Sequence, residues 1–433
     1  MSEVVVGLLG FACIVAIVVT LFKSKTLPSI AFIIFPMILG SIYLVFGGCY
    51  SWENIGKLIK SGFSSTGPTA ALFVFSVLYF GIMTDAGMFD VIIGKLMLLV
   101  KDNVIGVCVM TCIIALIGHL DGGGASTFCI VVPAMLPVYK KMHMRPTTLL
   151  RISVIAMGVL NLMPWAGPTM RAATVLGIEA GSLWQTILPI QACGIVLALA
   201  VAVLNGIIEQ KRGAGLNGKL AQEATHLNSV EEAAAEAESA NNDLARPKLF
   251  VFNIILTIAV IALLIKDIFP SYVPFMIGVA IAILVNYPGA KMQKKIINLH
   301  SGPALMMCST LMGAAVLMGI LVKDIEGVNS VITCMSNLIS SILPAALGQH
   351  LPLVIGILSV PLALAFDTDS YFYGMLPVMI GIGEGFGVGA MPIAVAMVVC
   401  RNCATFISPM VPATLLGVGL ADVDIKDHIK FSF

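Results

Sequence analysis

The chain has 433 residues, 59% of them hydrophobic and 11% charged, with a mean hydropathy of +1.02 and a net charge of +1. A water-soluble domain sits nearer about 45–50% apolar and about 25% charged. The composition therefore excludes an ordinary soluble domain, and the near-zero charge excludes the basic footprint of a nucleic-acid partner. It predicts an all-α, multi-pass protein whose main partner is the lipid bilayer. The ten cysteines are scattered, mostly through apolar segments, and read as small buried hydrophobes rather than a disulfide framework.

In chain order, residues 4–22 form a first span with no basic region ahead of it, so it reads as a retained helix rather than a cleaved signal. Residues 27–46 are the second span. Residues 51–65 place Trp52, Ile55, Leu58, Ile59 and Phe63 at helical spacing beside Glu53, Lys57 and Lys60, which predicts an amphipathic interfacial helix. Residues 69–88 are the third span, and 91–100 a short arm. Residues 104–139 then form an apolar hairpin interrupted by Gly118-His119-Leu120-Asp121-Gly122-Gly123-Gly124-Ala125-Ser126-Thr127. Three consecutive glycines cannot hold a helix there. Two half-helices meeting at a polar loop are expected, and such a break marks a transporter's binding site. Residues 147–178 carry a second break, Pro164-Trp165-Ala166-Gly167-Pro168, because paired prolines remove donors and clash with the preceding turn. Residues 184–208 are another span. Residues 208–248 are a polar linker, and its Glu/Ala/Asn-rich stretch, 223–243, reads as a flexible connection or a loose surface helix.

The second half, 249–433, repeats this order. Residues 249–265 and 272–285 are spans. Gly302-Pro303 opens the next span as Gly67-Pro68 opens the third, and 328–343 match the earlier arm. The hairpin 351–385 breaks at Phe366-Asp367-Thr368-Asp369-Ser370, and its Met375-Leu376-Pro377-Val378 copies Met135-Leu136-Pro137-Val138. The segment 391–421 breaks at Pro409-Met410-Val411-Pro412. A full span follows the first broken helix; only a short segment follows the second, so a final helix is expected to be missing. Lys23, Lys95, Lys140, Lys141, Arg145, Lys211, Arg212, Arg246, Lys248, Lys291, Lys294 and Lys295 fall on one side, against Lys57, Lys60, Lys266 and Lys323 on the other. The positive-inside rule then sets the N-terminus outside, the linker in the cytoplasm and the two repeats inverted, 1–207 against 249–433.

Asp121, Asp367 and Asp369 are intramembrane acids, functional by default because a buried charge is costly. The alternative is a structural pairing with Arg151 or Arg401. Ser126, Thr127 and Ser370 sit where the second arms begin, at helix N-termini that favour an anion; Ser126 and Asp369 read equally well as N-caps. His119 has a side chain that titrates near neutrality, although a lone loop histidine is more often structural. Arg171 and Arg401 carry guanidinium forks suited to carboxylates. Trp165 is expected to pack the break rather than touch a ligand.

Asp121-Gly122-Gly123-Gly124-Ala125-Ser126-Thr127-Phe128, Pro133-Ala134-Met135-Leu136-Pro137 and Asn161-Leu162-Met163-Pro164-Trp165-Ala166-Gly167-Pro168-Thr169 with Arg171 resemble the CitMHS family of citrate–divalent-metal:proton symporters, in the ion transporter superfamily. Ser408-Pro409 and the segment 419–428 resemble that family's C-terminal end. The resemblance implies import of citrate complexed with Mg²⁺ or Ca²⁺, coupled to protons, across the inner membrane. It implies a homodimer with a scaffold and a moving, elevator-type transport domain, and no permanently bound cofactor. It assigns substrate contacts to Gly122, Gly123, Gly124, Ser126, Thr127, Asn161, Gly167, Thr169, Thr368, Ser370 and Ser408. Coupling or metal contacts fall to Asp121, Asp367 and Asp369. Where the family's first loop reads Asp-Gly-Asp-Gly, Gly123 replaces the second acid; Asp367 is additional, and Thr405 stands where a histidine is expected. Two rival readings are a sodium- or proton-coupled transporter of another small carboxylate and an intramembrane metalloenzyme built on His119, Asp121 and cysteines. The second lacks any paired-histidine motif.

Overall fold

The computed structural model describes residues 2–23, 26–47, 51–97, 103–215, 244–266, 268–323 and 329–432. These are helical almost throughout. In chain order the helices are α1 (Glu3–Phe22), α2 (Pro28–Gly47), α3 (Trp52–Asp85), α4 (Met88–Met97), α5 (Val104–Gly118), α6 (Gly124–Lys141), α7 (Pro146–Leu160), α8 (Gly167–Leu176) and α9 (Ala180–Lys211). After the linker come α10 (Phe250–Lys266), α11 (Tyr272–Asn286), α12 (Ala290–Val322), α13 (Val331–Ser340), α14 (Ala345–Gln349), α15 (Leu351–Ala365), α16 (Leu376–Gly385), α17 (Ala390–Asn402), α18 (Pro412–Leu420) and α19 (Ile425–Ser432). Among the described residues, six helices are long and apolar enough to cross a membrane. Most of the linker, including 223–243, lies outside the described residues.

Two boundaries differ from the sequence expectation. The amphipathic 51–65 segment is not a separate interfacial helix. It runs without interruption through Gly67-Pro68 into the span, and all of Trp52–Asp85 is one helix whose first turn is capped by the Ser51 hydroxyl, which accepts from Asn54 N at 3.0 Å. Likewise Pro303 lies inside α12 instead of opening a span. Each proline removes one helical hydrogen bond, but the two helices pack along one another over much of their length, and this contact outweighs the loss. Glycines permit the close approach: a Cβ on Gly62 would collide with the carbonyl of Ala315, and one on Gly319 with the carbonyl of Leu58. Small residues at a crossing are how apolar helices associate where no hydrophobic driving force separates helix from lipid. α2 and α11 flank this pair, and α13 packs on α1 and α16.

The interrupted elements form the other part of the molecule. α5 packs on α7 and α9, α15 on α17, and α8 on α17 and the 370–375 turn. The later arms meet across the sequence, since α18 lies on α6. The chain breaks at both expected tips and at both proline segments; α5 packs on α6, whereas α15 and α16 each pack on α17. α5 ends at His119, and Gly122 turns the chain with φ of 71°, a conformation other residues rarely adopt, before α6 begins. α15 ends at the extended Phe366, and a wide helical turn, Ser370–Met375, leads into α16. α7 and α8 flank the first proline break, α17 and α18 the second.

The short amphipathic α19 docks on α7. His428 is buried there, its Nε2 lying 3.2 Å from the Phe406 carbonyl and its Nδ1 3.3 Å from the Ser432 hydroxyl. The Phe431 ring faces the guanidinium groups of Arg145 and Arg151 at 4.8 and 5.3 Å. Burial lowers the pKa of His428 below the ordinary histidine value of 6.5. Its neutral form therefore contributes stability that is complete above the unfolded value and lost as pH falls through the folded one. Acidification should loosen α19, read as faster amide exchange over 425–432, and His428→Gln should remove that pH dependence. At the helix crossing, Gly319→Val should cost about 1–3 kcal/mol by overpacking and lower the melting temperature, whereas Gly56→Ala, inside α3 with open space around it, should not lower it, because alanine is the better helix former.

Candidate functional site

The hairpin tips and proline breaks converge on a single cavity of 610 Å³. Its lining takes Asp121–Ser126 from the first tip, Asn161, Trp165, Gly167, Pro168 and Arg171 from the first break, Thr368 from the second tip, and Thr405, Phe406 and Pro412 from the second break. α3 and α12 close the remaining wall, chiefly through Phe73, Phe80, Thr84, His300 and Met307. The volume lies within the range of about 300–1,000 Å³ usual for small-molecule sites. A second cavity of 160 Å³, near Ser64, Glu179 and Ser271, holds no residue of either tip.

Most polar groups at the tips are tied to loop backbone or to one another. Asp121 Oδ1 accepts from Gly123 N at 2.7 Å, and Oδ2 accepts from the Ser126 hydroxyl, which also lies 2.8 Å from the Gly123 carbonyl. Ser126 is therefore no N-cap: the cap position is Gly123, without a side-chain bond to the first turn. Thr127 Oγ1 bridges His119 Nδ1 and the Gly123 carbonyl, at 2.7 Å each. At the second tip the capping acid is Asp367, not Asp369: Asp367 Oδ2 accepts from Asp369 N at 2.9 Å and Ser370 N at 3.2 Å. Asp369 instead accepts from Arg171 Nε at 2.5 Å, in an ion pair largely buried on both sides. That pair joins the second tip to the helix after the first break. The expected alternatives, Arg151 and Arg401, do not take this role.

The two breaks are also joined directly. Asn161 Nδ2 donates to Asn402 Oδ1 at 2.8 Å, and Thr405 Oγ1 reaches the same oxygen at 3.2 Å. Arg401 is fully buried and holds the second hairpin: Nη2 donates to the Phe366 carbonyl at 3.3 Å, Nη1 to Thr405 at 3.1 Å, and the guanidinium stacks on Tyr371 and Phe372. Trp165 packs among Phe80 and Phe275, and its Nε1 donates to the Leu120 carbonyl at 2.7 Å.

The candidate residues thus separate. Asp121, Gly122, Gly123, Gly124, Ser126, Asn161, Gly167, Arg171 and Thr368 line the cavity. His119, Thr127, Thr169, Asp367, Asp369, Ser370, Arg401 and Ser408 lie behind it. Thr169 donates to the Leu162 carbonyl at 3.0 Å, and the Ser408 hydroxyl accepts from Met410 N at 3.1 Å, so both serve the breaks themselves. The α3 and α12 wall was not legible from local motifs, because its residues recur at ordinary helical spacing; the one available signal was His300 near the prolyl kink of an apolar helix.

A cavity walled by broken helices within an apolar bundle belongs to a multi-pass membrane transporter, not an enzyme. The chain matches the CitMHS family, described as citrate transporter, over residues 2–400, and it belongs to that family of secondary transporters. It is 33% identical to a citrate transporter and 33% identical to a Mg(2+)/citrate complex secondary transporter, both of Bacillus subtilis, each over 98% of this chain and 94% of the relative. A third relative from that organism, an uncharacterized transporter YraO, is 30% identical over the same extent. The fold matches the YdaH transporter of Alcanivorax borkumensis with a TM-score of 0.60, covering 94% of each chain at 12% identity.

Removing one member of the Arg171–Asp369 pair leaves the other charge buried without its partner. Asp369→Ala should therefore cost about 3–5 kcal/mol of stability, seen as a fall in the melting temperature of the purified protein. Arg171→Ala should fall similarly, and the double variant should be less damaged than the sum of the two.

Proposed function

We propose that the chain imports citrate complexed with a divalent metal, Mg²⁺ or Ca²⁺, together with protons. The observation that carries this reading is the convergence of all four backbone breaks on one cavity bearing a cation, a carboxylate and uncommitted donors. Arg171 spends Nε on Asp369. The rest of its guanidinium fork lies at the cavity wall beside Gly167 and Met307 and is available to a citrate carboxylate. The free N–H groups at the N-terminus of α6 offer further donors to the anion. Asp121 supplies the hard oxygen that a chelated, partly hydrated divalent cation accepts as an additional ligand. The 33% identity to a Mg(2+)/citrate complex secondary transporter supports this substrate over another small carboxylate.

In this reading 1–207 and 249–433 are inverted repeats joined by a cytoplasmic linker, 208–248, in the inner membrane with the N-terminus outside. The hairpins and broken helices move as an elevator-type transport unit against α3, α12 and their neighbours, and two copies form a homodimer. The interlocked breaks support this division, since Asn161–Asn402 and Arg171–Asp369 tie the two repeats' mobile elements to each other.

Uptake of labelled citrate into proteoliposomes, with metal and pH varied separately, tests the assignment. Uptake should require both citrate and a divalent cation. Asp121→Asn should weaken metal dependence, and raising metal should move the pH profile of uptake to lower pH, because the cation and a proton compete for one carboxylate. Metal-independent citrate uptake, or uptake of another carboxylate in preference, overturns the reading.

A further inference from the structure

Three residues lining the cavity, among those described, carry ionisable side chains: Asp121, Arg171 and His300. Arg171 stays charged throughout the physiological range. Asp121 is the acid assigned above to the metal, and a carboxylate holding a divalent cation cannot at once hold a proton. A proton that travels with the metal complex therefore needs a different group in the same cavity. His300 is that group.

We propose that His300, paired with Asp85, is a proton-binding site of the transport cycle, set in the α3–α12 wall away from both hairpin tips. The site rests on three features. His300 Nε2 lies 2.8 Å from Asp85 Oδ2, and both side chains are mostly buried, at 18% and 14% exposure. The imidazole lies flat against Gly81 of α3: a Cβ there would stand 2.6 Å from its Cε1 and Nδ1, so only glycine admits the ring in this position. With Nε2 committed to the carboxylate, Nδ1 has no hydrogen-bond partner among the described residues, and the residue itself borders the cavity. The ring thus has one edge fixed by an acid and one available to a proton delivered by water.

The chemistry is simple to balance. With a neutral imidazole, the pair carries one negative charge. A proton taken onto Nδ1 from water in the cavity gives imidazolium beside carboxylate, and the pair carries none; no other bond forms or breaks. Removing a negative charge from the wall of a cavity that must admit an anionic complex favours its binding, and by linkage the bound anion holds the proton. Symport follows from that reciprocity. The charged groups around His300 are Asp85 on α3 and, across the cavity, Asp121 and the Arg171–Asp369 pair. α2 and α13, also packed on α12, contribute no charged side chain. Beyond Asp85, Arg246 stacks on Tyr287 at 5.1 Å.

This inference rests on the proton-symport reading, and the test separates the two. His300→Gln keeps an amide donor for Asp85 but cannot take a proton. In proteoliposomes supplied with Mg²⁺ and labelled citrate, exchange across the membrane needs no net proton movement, whereas accumulation driven by a pH gradient does. His300→Gln should still exchange citrate at saturating substrate, with a raised KM because Asp85 keeps its negative charge, and lose gradient-driven accumulation by about tenfold or more. Asp85→Asn should fold and retain exchange with a weakened response to the gradient. Gradient-driven accumulation equal to wild type in His300→Gln overturns the proposal. So does loss of exchange and accumulation together in both variants with a lowered melting temperature, which would assign the pair to helix packing alone. A wild-type protein that moves no citrate overturns the substrate reading instead. In that case purified, substrate-free protein decides on the proton site: on acidification the wild type should take up one more proton than His300→Gln, and equal uptake overturns the site.

Discussion

The structure depends on one constraint: backbone that leaves the helix inside an apolar bundle must find hydrogen-bond partners within the protein. Four segments leave the helix near the cavity, and the polar side chains at each break can be read as answers to that demand. Asp121 and Asp367 receive the loop amides of the two tips. Trp165 covers the Leu120 carbonyl, Arg401 the Phe366 carbonyl and His428 the Phe406 carbonyl. The groups left over after this service, the free guanidinium edge of Arg171 and the N-terminus of α6, are those that face the cavity. In the proposed reading, substrate recognition is built from the surplus of a network whose first duty is to hold broken helices together.

In the proposed elevator reading, that network also decides which parts move as one. Bonds across the breaks run between sequence-distant halves, Asn161 to Asn402 and Arg171 to Asp369, so neither hairpin is free to shift without the opposite break. The contact of these elements with α3 and α12 is of a different kind. Around the cavity it is made largely by aromatic and methionine side chains such as Phe73, Phe80 and Met307. Dispersion contacts of this sort have no fixed direction, whereas buried ion pairs and hydrogen bonds tolerate little displacement. A joint between the two parts that can slide, beside parts that are each locked, is the physical requirement of an alternating-access device.

The glycines contribute to both halves of that design. Gly62 and Gly319 let α3 and α12 approach until backbone meets backbone, and Gly158 lets α7 meet the carbonyl of Asn402, where a Cβ would stand 2.6 Å away. Gly124 leaves room for the Phe406 ring, which packs edge-on against His119. In each case the absent side chain is what permits an approach that the polar network or the helix pair then exploits.

Much of this was legible in the order of residues. Hydropathy marked the spans, consecutive glycines marked the first tip, paired prolines marked the two broken helices, and acids in an apolar run marked the second tip, because each of these signals is local: glycine and proline act on the backbone at their own position. The sequence by itself determined the class of protein, the alternation of spans with broken elements, and which loops carry chemistry. Tertiary structure alone decided the partners. Asp369 and Asp367 are two residues apart and chemically identical, yet one pairs with Arg171 and the other caps a helix, because only the first faces α8. Prolines that end helices at the breaks are absorbed within α3 and α12, because a long packed neighbour outweighs one lost hydrogen bond. His300 acquires its acid and its place in the cavity wall only when α12 lies along α3, a contact between residues 215 positions apart that no local pattern encodes.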